Sequence, residues 1–283
     1  MLIKAYAKIN LGLKVLFKRD DGYHEIETVM QEIGLCDYLK FEEFTGDCIE
    51  VECIGMDIPS GENLVYKAAQ ELSVWNNNTA GVKIYLYKNI PAGAGLGGGS
   101  SDAAATILAL NDIWKLGLTQ NQLVQIAANL GADVPFFLYG GTALARGKGE
   151  QIIELPAMPF WGVVLAKPPE LFTSTGKIYA RVTPGASYSF NYDPLLVSLK
   201  GGDRKGIWEW MKQNNLNMLE EVVLRDYPEL NVLKEFFMQM GLIPILSGSG
   251  PTVFAFTRTY QEAMESARCL ENKGYDAWAC WTN

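Results

Sequence analysis

The chain has 283 residues, 48% hydrophobic and 20% charged, with 24 Lys and Arg against 32 Asp and Glu for a net charge of −8. This length allows one large domain or two modest ones, and the composition is ordinary for a globular protein with a substantial core. The acidic balance argues against non-specific binding to nucleic acid or to an anionic membrane surface, so any phosphate the protein binds must be held by a local site.

Strand signals dominate the first 90 residues. Apolar alternation over 2–18 and 25–33 predicts a hairpin around Arg19-Asp20-Asp21-Gly22, and 37–44 and 48–54 are expected to pair across Thr45-Gly46-Asp47. Helical spacing follows over 62–75, where Leu64, Val65, Ala68, Ala69 and Leu72 share one face. It returns over 101–115 and 119–130, the last with Thr119 as N-cap and a break at Gly131. Between the first two helices, residues 82–88 alternate like a half-exposed antiparallel strand. Two prolines in Glu154-Leu155-Pro156-Ala157-Met158-Pro159-Phe160 interrupt helix and sheet alike, so a boundary is expected there, giving domains 1–155 and 156–283. Beyond it, 161–166 and 253–256 read as inner strands, with helices near 173–181, 204–214, 229–240 and 260–273 and a loop over 183–193. Strands and helices mixed in this order predict an α+β layered fold.

Pro91-Ala92-Gly93-Ala94-Gly95-Leu96-Gly97-Gly98-Gly99-Ser100-Ser101-Asp102 is the most informative stretch. Five glycines within seven positions let the backbone take positive φ and approach a ligand closely, and the following helix aims free N–H groups at the same spot. A phosphate cradle is the expectation; a glycine-rich surface linker would not normally run into an apolar helix. A Walker A loop is excluded, because counting from Gly93 its lysine falls on Gly99. The dinucleotide pattern is met only in its glycines, Gly93, Gly95 and Gly98, without a buried parallel strand before it or an acid closing a second strand after it.

This loop resembles the nucleotide-binding loop of the GHMP small-molecule kinases. Ala7-Lys8-Ile9-Asn10-Leu11, Asp21-Gly22-Tyr23-His24 and Leu246-Ser247-Gly248-Ser249-Gly250-Pro251-Thr252 occur in the order that family uses, so the likeness spans residues 7 to 252. It implies a two-domain architecture with the active site in the cleft, ATP and Mg²⁺ as cofactors, and transfer of a phosphoryl group to an alcohol. Such transfer needs charge neutralisation, in-line positioning and often a carboxylate to take the hydroxyl proton.

Asp133, in Gly131-Ala132-Asp133-Val134-Pro135, is a helix N-cap or that carboxylate when judged from the residues alone, and the resemblance favours the carboxylate. Lys8 either faces out from an edge strand or points inward to an anion; the resemblance makes it the cation that polarises the acceptor hydroxyl, with Asn10 as polar support. Ser100 and Ser101 cap the helix or bind phosphate oxygens and Mg²⁺, and Asp102 reads as a first-turn acid meeting the helix dipole. The resemblance places Asn63, Pro91 and Leu96 with the loop glycines Gly93, Gly95, Gly97, Gly98 and Gly99 around the nucleotide. It also places Tyr23, His24 and Tyr179 around a cytosine of the substrate, with His24 and Lys88 on the base's polar edge. By themselves Tyr23 and His24 would be turn residues and Tyr179 a core aromatic. The 246–252 segment is a tight turn or a second set of backbone donors.

Five cysteines without a C-x-x-C pair and a single histidine cannot complete a Cys/His zinc site. With no apolar leader at the first residues and no long apolar run, the expected setting is a reducing cytoplasm, and the expected partner is a small molecule rather than nucleic acid or membrane. A monomer or weak homodimer is expected. Protein kinases are excluded by the lack of H-R-D and D-F-G motifs.

Overall fold

Apolar alternation makes β1 (Leu2–Lys18), and the chain then turns into β2 (His24–Phe44), which runs unbroken and pairs with β1. The turn closes as its composition dictates. Arg19 N–H donates to Tyr23 O at 2.8 Å, Tyr23 N–H donates to the Asp21 carboxylate at 3.1 Å, and Gly22 takes φ +86°. The computed structural model describes residues 1–44, 46–56, 58–59, 61–75, 81–184, 190–213 and 216–283. They form two compact units, each visited more than once by the chain: Met1–Ala7, Cys36–Ala92 and Gly97–Gly140, then Lys8–Leu35, Gly93–Leu96 and Gly141–Asn283.

In the first unit, β3 (Ile49–Ile54) leads through α1 (Leu64–Ser73) to β4 (Gly81–Tyr87), and the two strands lie parallel. A helical crossover is what a parallel pair requires. The far half of β2 pairs antiparallel with β4, Leu39 opposite Leu86 and Phe41 opposite Ile84, so the strand order is β3-β4-β2. The expected pairing of 37–44 with 48–54 is therefore corrected: β4 lies between them. Its inward row Val82, Ile84 and Leu86 is fully buried, which suits a central strand, whereas β3 exposes Glu50 and Glu52 along an edge. The likewise expected break between 25–33 and 37–44 is absent, and Thr45 lies outside the described residues. Next come α2 (Gly98–Ile113) and α3 (Gln120–Leu130), then a short 3₁₀ helix (Pro135–Leu138). Thr119 caps α3 in a capping box with Gln122, and Gly131 ends it.

The second unit pairs the first half of β2 with β5 (Thr142–Gly147), which pairs with β6 (Gln151–Glu154). Residues 141–155 thus cluster with the C-terminal half. The chain continues through β7 (Gly162–Lys167), α4 (Thr175–Tyr179), α5 (Asp193–Gly201), α6 (Arg204–Gln213), α7 (Glu220–Asp226) and α8 (Glu229–Gln239). It ends with β8 (Ile245–Leu246), β9 (Val253–Thr257), α9 (Tyr260–Glu271) and β10 (Asp276–Trp281). A second sheet has the order β10-β7-β9-β8, so the two segments read as inner strands are inner. Val164, Ala166, Val253 and Ala255 pack there with Leu230, Leu233 and Phe237 of α8 and with Ala263, Ala267 and Leu270 of α9. The expected loop over 183–193 meets α5 at Asp193, and its residues 185–189 lie outside the described residues. No described helix is long and apolar enough to cross a membrane.

Candidate active site

The alternation of β1 puts Lys8 and Asn10 on one face, and that face is inward: they are 4% and 2% exposed. The outward reading of Lys8 is thereby closed. A buried ammonium must be hydrogen-bonded, and Lys8 Nζ donates to Asn10 Oδ1 at 2.7 Å. Asn10 Nδ2 donates in turn to Thr28 Oγ1 at 2.9 Å, whose hydroxyl donates to Gly12 O at 2.6 Å. This chain orients the Asn10 amide and through it the lysine. Lys8 also uses its main-chain N–H, donating to Leu96 O at 2.9 Å, so β1 seats the glycine loop.

The loop meets the 246–252 turn in the same unit. Ser247 Oγ donates to Gly95 O at 2.9 Å, and Thr252 N–H donates to Ala94 O at 3.4 Å. The turn is itself held by Asn217, whose Nδ2 donates to Leu246 O at 2.9 Å and Gly248 O at 2.7 Å. Thr173 Oγ1 donates to Gly250 O at 2.8 Å. A Cβ at Gly248 would stand 3.2 Å from Asn10 Oδ1 and 3.6 Å from Lys8 Nζ, so turn, amide and ammonium converge. The Leu96 side chain is buried packing.

Gly97 is the N-cap of α2 in the left-handed conformation, φ 71°, and the first intrahelical bond runs from Ser101 N–H to Gly97 O at 2.9 Å. The N–H groups of Gly98, Gly99 and Ser100 are thus without partners inside the helix, as an anion site requires. Neither serine caps with its side chain. In this unit Asn63 caps α1 by accepting from Val65 N–H at 2.9 Å, and Leu64 Cδ1 lies 3.7 Å from where a Cβ on Gly99 would stand. Pro91 is half-buried at the start of the loop.

Two readings change here. Asp102 is not a first-turn acid: it lies five residues into α2, 2% exposed, with Lys88 Nζ donating to its Oδ2 at 2.7 Å. Lys88 is not aimed at a base edge: its side chain is 5% exposed and its ammonium is held between Asp102 and Asp37. Asp37 also accepts from Asn89 N–H at 2.5 Å and Ile90 N–H at 2.8 Å. Burial pushes the Asp102 carboxyl up to about 7, against the pull of Lys88 and with the push of Asp37. The folded chain therefore keeps a proton that the unfolded chain releases near 3.8, so this group should lower stability as pH rises from about 4 to 7. The slope from one proton is at most about 1.4 kcal/mol per pH unit. Denaturant titrations from pH 5 to 8 should show that slope in the parent and its loss in Asp102→Asn; identical profiles would refute it.

Asp133 sits half-buried in the turn between α3 and the 3₁₀ helix, next to the buried Val134, Phe136 and Phe137. The N-cap position of the 3₁₀ helix is Val134, the residue after Asp133. Elsewhere, Tyr23 is 59% exposed, with Lys148 Nζ 4.8 Å from its ring centroid, so it fills no core. His24 and Tyr179 have ring centroids 5.6 Å apart, while Tyr179 also packs on the core of its unit. Burial first, then Lys18, lowers the His24 pKa, so near neutral pH its ring offers one N–H donor and one acceptor.

Asp37, Thr28 and Asn217 escaped the sequence reading. Asp37 shares its strand parity with the buried Leu39 and Phe41, and Thr28 with Ile26 and Met30, so inward parity was a signal for both. Asn217 had none, because its partners are 29 and 31 residues away.

A buried lysine seated on a glycine loop that opens a helix, over mixed sheets, is the anatomy of a small-molecule kinase. The chain belongs to the GHMP kinases: the model of their N-terminal domain matches residues 63–141 and that of their C-terminal domain matches 195–276. It is an ATP-dependent small-molecule kinase. A 4-diphosphocytidyl-2-C-methyl-D-erythritol kinase of Pelotomaculum thermopropionicum is 44% identical over 93% of this chain and 91% of its own. A crystal structure of 4-(cytidine 5'-diphospho)-2C-methyl-D-erythritol kinase is similar over 100% of both chains, with TM-score 0.84 and 36% identity. The mevalonate kinase of Methanococcus jannaschii, with TM-score 0.71 at 14% identity over 100% of this chain and 98% of its own, shares the fold alone.

Proposed function

We propose that this chain transfers the γ-phosphoryl group of ATP to the 2-hydroxyl of 4-diphosphocytidyl-2-C-methyl-D-erythritol, a step toward isoprenoid precursors outside the mevalonate route. The buried Lys8 ammonium, hydrogen-bonded to Asn10 and fastened through its own backbone to the glycine loop, carries the chemistry of this reading. The 44% identity to a relative of that name supports the substrate.

In this mechanism the first-turn N–H groups of α2 and the loop backbone receive the nucleotide phosphates, and Asp133 takes the proton of the attacking hydroxyl. Lys8 steadies the developing charge on that oxygen, and Asn10 keeps the lysine in place. Mg²⁺ would be held chiefly by the phosphates with the Ser100 hydroxyl, because no group of three or more His, Cys, Asp and Glu among the described residues could hold a metal. Its chemistry there is neutralisation of phosphate charge. Asn63 and Pro91 border the nucleotide, and Tyr23, His24 and Tyr179 contact the cytosine. A functional division at 155/156, a reducing cytoplasm and a monomer or weak dimer belong to the same reading; none of the five cysteines is in a disulfide.

ADP release measured across the cytidyl diphosphate compound, mevalonate and homoserine tests the substrate. Only the first should give sustained turnover; faster release with either of the others would overturn the assignment. Tyr23→Ala should raise KM for the cytidyl substrate by about one to two orders of magnitude, the worth of one stacked base. Because Tyr23 is 59% exposed, stability should move by no more than about 0.5 kcal/mol. The uridine analogue should be poor for the parent, since its 4-position accepts where cytosine donates, and His24→Ala should narrow that gap. Unchanged KM in Tyr23→Ala would remove the ring from the substrate site.

A further inference from the structure

The most buried ionic cluster of the first unit lies under the helix that opens after the glycine loop, and no step of the mechanism uses it. Asp37, on β2 and 0% exposed, accepts from the backbone N–H groups of Asn89 and Ile90, where the chain leaves β4 for the loop. Asp102 stands on the far side of the loop, one turn into α2. Lys88 joins the two carboxylates. Packing at the helix start is tight, since a Cβ on Gly98 would meet Ile90 Cγ2 at 2.9 Å and Lys88 Nζ at 3.3 Å. Asp102 Oδ1 is buried without a hydrogen-bond partner, so its carboxyl is held through Oδ2 alone.

We infer that Lys88 and Asp102 are positioning residues for the nucleotide: bridged through Asp37, they fix the first turn of α2 to the segment that begins the loop, and so set where the phosphate-receiving N–H groups stand. This rests on the reading that the loop holds ATP. A buried ion pair is a weak source of stability, because desolvation offsets most of the attraction; fixing one arrangement is its better attested use. Here three ionisable side chains fix the two ends of a loop whose glycines leave it little stiffness of its own. A cradle displaced by a fraction of an ångström loses hydrogen bonds to phosphate while the reacting groups stay intact, so affinity should suffer before turnover does.

Asp102→Ala is the informative variant. It removes the anchor on α2 yet leaves Lys88 paired with Asp37, so no unbalanced charge is buried, whereas Lys88→Ala would strand two carboxylates and risk misfolding. Calorimetric titration with ATP should show affinity weakened about tenfold or more, with kcat at saturating ATP within about threefold of the parent. Asp102→Asn, whose amide oxygen still accepts from Lys88, should bring ATP affinity back to within about twofold. Melting temperatures measured alongside separate positioning from support, because a purely structural Asp102 would lower them in both variants without singling out ATP. Parent-like ATP binding by Asp102→Ala, or equal weakening in Asp102→Ala and Asp102→Asn, overturns the inference. If the parent itself binds no ATP, the nucleotide reading of the loop falls, and the inference with it.

Discussion

Asparagine in place of Asp133 should cut turnover by about 10²- to 10⁴-fold while ATP and the cytidyl substrate still bind, the signature of a lost general base. The residue invites this expectation because it is an acid placed at the break between α3 and the 3₁₀ helix. It is a half-buried acid in a turn beside buried Val134, Phe136 and Phe137, one residue before the N-cap of the 3₁₀ helix that follows. Near-normal kcat in Asp133→Asn would end its catalytic role. Lys8→Ala should also lose kcat more than affinity, and the double variant should be little worse than the slower single one, because the proposed mechanism has both groups serve one proton transfer. Losses that multiply fully would assign the two residues to separate steps.

Gly95→Ala should weaken ATP binding by more than tenfold and destabilise the fold by about 2 kcal/mol or more. Gly95 has φ +76°, which costs an L side chain energy by itself, and its Cβ would stand 2.4 Å from Ser247 O and 3.0 Å from Gly250 O. Those obstacles are backbone carbonyls of a turn already tied down by Asn217, so they cannot rotate away. Either the glycine loop or the turn must shift, and the bond from Ser247 Oγ to Gly95 O goes with it. Gly176→Ala is the matched control: nothing lies within 4 Å of its Cβ, and in α4 alanine is the better helix former. Calorimetry with ATP and thermal melts on both variants check the contrast. If Gly95→Ala bound ATP like the parent, loop and turn would not act as one phosphate site.

What the chain discloses along its own length concerns features with short-range causes. Alternation marked β1, apolar runs marked β7 and β9 as inner strands, and helical spacing with Thr119 as N-cap marked α3, because pleat, period and cap are all settled within a few residues. The short α7 and the β10 strand carried too weak a periodicity to be read. Strand partners were a different matter. Residues 37–44 and 48–54 are near in sequence and joined by turn-forming residues, yet β4 takes the place between them because its inward row buries completely and that of β3 does not. The site divides in the same way. Residue types and motif order pointed to Lys8, Asn10 and the loop glycines, but local chemistry left Lys8 inward or outward and Asp102 a helix-dipole acid. Only the tertiary structure decided these, since the pairing of a buried charge depends on residues far along the chain: Lys8 turns inward where Asn10, Thr28 and the loop backbone wait for it, and Lys88 is drawn to Asp37, 51 residues away, and to Asp102, because burial leaves an ammonium no water to turn to.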